Sequence, residues 1–155
     1  MEDTVAGRLD GTFLGEYEHA LDDKGRLIVP SKLRPGLGDT FVVTRGLEAC
    51  LFVYPLEVWR EITSELSTLP FTAEDTRMFT RMFYSGAVEV TTDRQGRFII
   101  PPSLRRYAGL ERETVFIGVS NRVEIWSRER WAAFCERAET EYQTAAEELF
   151  RKSRD

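Results

Sequence analysis

The chain has 155 residues, 42% of them hydrophobic and 30% charged, with a net charge of −5, which suits one ordinary domain or two small ones sharing a core. No apolar run approaches the roughly 18–20 residues needed to cross a bilayer, and Met1–Gly11 is acidic with no apolar stretch, so neither a membrane span nor a secretory signal is read. Cys50 and Cys135 lack CxxC spacing, which points away from a disulfide framework or a zinc site and toward a cytoplasmic protein with two partly buried thiols.

Taken in chain order, Tyr17–Leu21 reads as a strand, Asp22-Asp23-Lys24-Gly25 as a tight polar turn, and Arg26–Val29 as a returning strand. Gly25 supplies the positive φ such a turn needs. Pro30 closes the strand, and Ser31-Lys32-Leu33-Arg34 predicts a short helix with Ser31 near its N-cap. A hairpin follows, rising through Thr40–Thr44, turning at Arg45-Gly46 and returning through Leu51–Tyr54. Leu56–Leu66 and Ala73–Phe83 read as helices, the first with Trp59, Ile62 and Leu66 on one apolar stripe.

From Tyr84 the pattern begins again. Tyr84–Arg105 aligned on Phe13–Arg34 gives nine identities in 22 positions, so the chain carries an internal repeat. The identical pairs are Gly15/Gly86, Glu18/Glu89, Asp22/Asp93, Gly25/Gly96, Arg26/Arg97, Ile28/Ile99, Pro30/Pro101, Leu33/Leu104 and Arg34/Arg105. After a one-residue shift, Glu57 matches Glu129 and Trp59 matches Trp131. In the second copy Pro101-Pro102-Ser103 opens a helix of about two turns that Gly109 ends. A hairpin through Thr114–Val119, Ser120-Asn121 and Val123–Trp126 follows. Arg128 to about Phe150 is a long helix with Trp131, Phe134, Cys135, Ala138 and Tyr142 on one side, read as core or subunit contact. The reading is α+β: a β-β-α-β-β unit and a helix, twice. Its boundaries are an extension at 1–12, units at 13–58 and 84–130, a helical linker at 59–83, and a C-terminal helix and tail at 131–155.

The repeated Asp-x-x-Gly-Arg is the candidate functional element. Asp22 and Asp93 can bond backbone N–H groups of their own turns, and Gly25 and Gly96 let the chain reverse, so a bracing role is favoured for these four. Arg26 and Arg97 can pair with those carboxylates or contact DNA, and the two roles do not exclude each other. Charge is segregated around them. Lys24, Arg26, Lys32 and Arg34 outnumber Asp22 and Asp23 in the first copy, and Arg94, Arg97, Arg105 and Arg106 outnumber Asp93 in the second. Acid gathers instead at Glu136, Glu139, Glu141, Glu147 and Glu148. An acidic protein can therefore present basic segments to phosphates.

Phe13–Tyr17, Leu21–Arg26, Pro30–Arg34, Asp93–Arg97, Leu104–Leu110 and Val123–Trp126 with Trp131 together resemble the MraZ family, bacterial regulators built from two SpoVT-AbrB-like units. The resemblance runs from Thr12 to about Phe150, and Met1–Gly11 precedes the usual family start. It implies a pseudo-symmetric swapped-hairpin barrel and ring-shaped homo-oligomers. It also implies nucleoid-associated binding to double-stranded DNA at short promoter repeats upstream of the division and cell-wall operon, usually as a repressor. By the same resemblance Arg26 and Arg97 face DNA, with Lys24, Arg94 and Gln95 beside them. Lys32, Arg34, Arg105 and Arg106 are available for phosphates.

An enzyme is not expected. His19 is the only histidine and sits in a strand, and no Walker loop, Gly-x-Gly-x-x-Gly or HExxH spacing occurs. No cofactor or small-molecule substrate is read. The competing reading is an antitoxin-like or scaffold protein working through protein contacts, against which the helical patterning of the C-terminal segment argues.

Overall fold

The computed structural model describes residues 8–9 and 12–154. Most of the expected extension at 1–12 lies outside the described residues, although β1 (Arg8–Leu9) pairs with β2 (Thr12–Phe13). The remaining elements are β3 (Glu16–Ala20), β4 (Arg26–Ile28), α1 (Arg34–Leu37), β5 (Thr40–Arg45), β6 (Leu51–Pro55), α2 (Leu56–Leu66), α3 (Glu74–Ser85), β7 (Val88–Thr91), β8 (Arg97–Ile99), α4 (Pro102–Ala108), β9 (Glu113–Val119), β10 (Arg122–Ser127) and α5 (Arg128–Arg154). This is a mixed α+β fold in which ββαββ occurs twice. Among the described residues, no helix is long and apolar enough to cross a membrane.

The two units share one antiparallel sheet in the order β3-β9-β10-β6-β5-β7. At its centre β6 lies against β10, with Phe52 opposite Glu124. Outward from there the units exchange strands: β3 of the first pairs with β9 of the second, and β7 of the second pairs with β5 of the first. The other exchange is a short ribbon, β4 against β8, with Leu27 opposite Phe98. The sheet is open, with β3 and β7 at its edges, and the ribbon is separate from it. Hydrogen bonding among the described residues therefore does not close a barrel.

Side-chain alternation explains the ribbon's position. Leu27 and Phe98 point inward and are buried with Phe41, Leu33, Leu104, Ile100 and Phe116 in the main core. Phe41 meets Phe98 edge to face at 5.2 Å. A second cluster, Cys50, Val115, Ile117 and Trp126, takes Trp131 and Phe134 from the start of α5. A third, Tyr54, Val58 and Phe83, joins α2 and α3 to the sheet.

Two helices depart from their expected form. Helix α1 starts at Arg34 rather than Ser31, with Leu33 at the N-cap and no side-chain cap. The N–H groups of Leu33 and Arg34 both donate to the Pro30 carbonyl, forming a turn through 31–33, and Pro35, which has no N–H to lose, then sits in the first helical turn. Helix α5 continues to Arg154, and no residue along it is buried. Helix α4 ends on Gly109 in the left-handed region, as read.

Candidate functional site

Each Asp-x-x-Gly-Arg segment folds into the same locked turn. The Asp22 carbonyl accepts the Gly25 N–H at 3.0 Å and the Arg26 carbonyl accepts the Asp22 N–H at 2.9 Å. Asp22 Oδ1 accepts the backbone N–H groups of Lys24 and Arg26, both at 2.9 Å, while Oδ2 accepts Arg26 Nε at 2.7 Å. Asp93 repeats this pattern with the N–H groups of Gln95 and Arg97 and with Arg97 Nε at 2.7 Å. Gly25 and Gly96 hold φ of 77° and 79°, the left-handed region that side chains resist. Both carboxyls are held below their ordinary pKa, chiefly by the backbone N–H of Arg26 or Arg97, with the guanidinium adding to it.

The units also brace each other's turns. The Val29 N–H donates to the Gly96 carbonyl and the Ile100 N–H to the Gly25 carbonyl, each at 2.9 Å. Arg34 extends this link, donating from Nε to the Val29 carbonyl and from Nη2 to the Gln95 carbonyl, both at 3.0 Å. Its repeat counterpart Arg105 lies under Gly25, where an added methyl would come within 2.8 Å of Nη1. Arg34 and Arg105 are thus packed behind the turns.

The antiparallel register places Arg26, Ile28, Arg97 and Ile99 on the ribbon's outer face. Both isoleucines are exposed, and the two arginines retain about a third of their side-chain exposure. Lys24, Arg94 and Gln95 are exposed at the turn tips, Lys32 in the turn leading to α1, and Arg106 on α4 beside Arg105. The tips differ, since Asp23-Lys24 in one stands where Arg94-Gln95 stands in the other. Ile28 and Ile99 were not among the residues singled out from sequence. Their signal was an apolar identity retained by both copies on the solvent side of a strand. His19 lies in β3 with its ring edge-on to Phe116 at 5.8 Å, and burial followed by the charge of Arg34 lowers its pKa. Among the described residues no group of three or more His, Cys, Asp or Glu side chains could hold a metal ion.

Fold and site together define a class: a tandem duplication whose units interlock through one sheet and present paired Asp–Arg turns from a common two-stranded ribbon. Residues 12–82 and 83–153 each match the family model described as "MraZ protein, putative antitoxin-like". The chain belongs to the MraZ family. It is similar to the protein named "Transcriptional regulator MraZ" of Moorella thermoacetica, at 53% identity over 137 residues, covering 88% of this chain and 96% of the relative. The protein of the same name from Desulforamulus reducens is also 53% identical, with the same coverage.

Proposed function

We propose that this protein is a sequence-specific DNA-binding transcriptional regulator. It binds short promoter repeats as an oligomeric ring and represses its own division and cell-wall operon. The observation that carries this reading is the outer face of the β4–β8 ribbon, where two arginines and two isoleucines stand on one exposed surface flanked by Lys24, Arg94 and Gln95. A two-stranded ribbon fits the width of the major groove, where guanine offers two acceptors to an arginine and thymine offers a methyl group to an apolar side chain. Arg26 and Arg97 are tethered through Nε, and a guanidinium held there can still offer its Nη groups to a base. The Asp22 and Asp93 contacts cut the rotamer freedom each arginine would lose on binding.

The naming of the two relatives as transcriptional regulators supports the same reading. Lys32, Arg34, Arg105 and Arg106 supply further positive charge around the turns, with Lys32 and Arg106 the more accessible pair for phosphates. A swapped-hairpin barrel of two units, 13–58 and 84–130, joined by a linker at 59–83, is the frame this reading assigns. One ribbon offers few contacts, so a ring engaging several repeats gains affinity through effective concentration.

The test is binding of the purified protein to the DNA upstream of its own gene at rising salt. Cooperative, salt-sensitive binding lost on Arg26→Ala plus Arg97→Ala supports the reading. Unchanged binding by that folded double variant makes the turns a structural brace and nothing more. An antitoxin-like role, which the family description names, is the alternative, and the continuous α5 helix disfavours a partner-wrapping disordered tail.

A further inference from the structure

The register of the β4–β8 ribbon sets Arg26 opposite Ile99, Leu27 opposite Phe98 and Ile28 opposite Arg97. Exchanging the two units carries Arg26 onto the place of Arg97 and Ile28 onto that of Ile99, so the outer face maps onto itself. A face with this two-fold symmetry offers DNA the same groups in either direction. Alone it would select a self-complementary element.

The turn tips break that symmetry. Their backbones are locked alike, with Asp22 accepting the N–H groups of Lys24 and Arg26, and Asp93 those of Gln95 and Arg97. Asp23 and Arg94 therefore hold equivalent places, as do Lys24 and Gln95, and all four are exposed. Lys24 is a compact cation whose donors suit a phosphate oxygen. Gln95 is neutral and carries an acceptor and a donor side by side, the pair that matches N6 and N7 of adenine. Asp23 can only accept, which leaves Lys24 as the one donor side chain at the first tip, whereas Arg94 and Gln95 both donate at the second.

Support from behind is unequal as well. Arg34 donates to the carbonyls of Val29 and Gln95, both at 3.0 Å, so the residue at the second tip is tied down through its own backbone. Arg105 lies beneath Gly25 in the matching place, yet its Nε is buried and makes no hydrogen bond. The second tip is thus held from within and from behind. A side chain on a fixed backbone loses less freedom when it meets a base.

We infer that Gln95 is a specificity-determining residue that gives recognition its direction. It reads an adenine–thymine pair toward one end of the element, while Lys24 takes a backbone phosphate toward the other. The symmetric arginines and isoleucines between them set affinity and the central base pairs, and the tips set which way the protein lies. The inference rests on the DNA-binding part of the proposed function and assigns unlike tasks to the two ends of that site.

Selection from a randomised duplex library by the purified full-length protein, followed by sequencing and by binding at several salt concentrations, tests this. The parent enriches an element with unlike ends and a fixed adenine–thymine pair near one of them. Gln95→Lys changes an exposed side chain and keeps the backbone carbonyl that Arg34 holds. It relaxes the preference at that pair about ten-fold, retains the rest of the element, and steepens the salt dependence by about one phosphate contact. Lys24→Gln keeps the pair and makes the salt dependence shallower by about one contact. A parent that enriches no sequence would remove the DNA-binding reading together with this one. A self-complementary parent element would overturn the role of Gln95 alone. So would an element that Gln95→Lys leaves unchanged or relaxes evenly along its length, or a pair that Lys24→Gln relaxes instead.

Discussion

Arg34 lies directly beneath Gly96 of the other unit: its Nη2 donates to the Gln95 carbonyl at 3.0 Å, and a methyl group on Gly96 would come within 2.5 Å of its Cζ. The two residues are neighbours only because the units exchange strands, so the first copy's arginine props up the second copy's turn.

A Gly96→Ala substitution meets both that arginine and a φ of 79°, and is expected to cost about 1–3 kcal/mol of stability. Urea unfolding of Gly96→Ala, Arg34→Ala and the double variant measures it. The double variant should lose less than the sum of the singles, because removing Arg34 relieves the clash but leaves the strained backbone. Strict additivity would mean the two residues do not touch.

The paired aspartates predict an acid-sensitive turn. Their carboxyl pKa values are lowered in the folded chain, so the stabilisation is fully present above the ordinary carboxylate range near pH 4. It is lost as pH falls from there through the depressed folded values. Urea midpoints taken from neutral pH downward should fall less steeply for Asp22→Asn/Asp93→Asn than for the parent. Equal slopes would show that other carboxylates govern the acid response.

Core truncation at the ribbon provides a further check. Phe98 is 3% exposed, and Phe98→Ala is expected to destabilise by about 3–5 kcal/mol through lost burial and the cavity left behind. Calorimetry or urea unfolding reads this directly. A cost below about 1 kcal/mol, the scale of a surface change, would mean that the ribbon is not packed on the core as described.

For the proposed DNA interface, Arg26→Ala and Arg97→Ala should each weaken binding to promoter repeats by about 1–3 kcal/mol, the scale of one bidentate base contact. Ile28→Ala plus Ile99→Ala should reduce discrimination between promoter and unrelated DNA while leaving the salt slope unchanged, because no charge is removed. Fluorescence anisotropy at several salt concentrations separates the two effects. A changed salt slope in the isoleucine variant would point to a disturbed fold.

Much of the architecture follows from short-range pattern. Nine identities at a fixed offset define the duplication, a strand–turn–strand pattern marks Tyr17–Val29, and helical apolar stripes mark α2 and α5. The Asp-x-x-Gly-Arg turn is equally local, since every bond that Asp22 makes to Lys24, Gly25 and Arg26 lies within five residues of chain. Local sterics and hydrogen bonding suffice to encode these features.

Only the tertiary structure decided which strands meet. That β3 joins β9, β7 joins β5 and β4 joins β8 depends on contacts between residues some 45 or more positions apart, which no local periodicity records. The same cause set Arg34 and Arg105 against the opposite unit's turns, and gathered Arg26, Ile28, Arg97 and Ile99 onto one face. The sequence by itself determined two matched units and their locked turns, because those rest on neighbours in the chain. The tertiary structure decided how the units interlock and which side chains face outward, because burial is a property of the whole core.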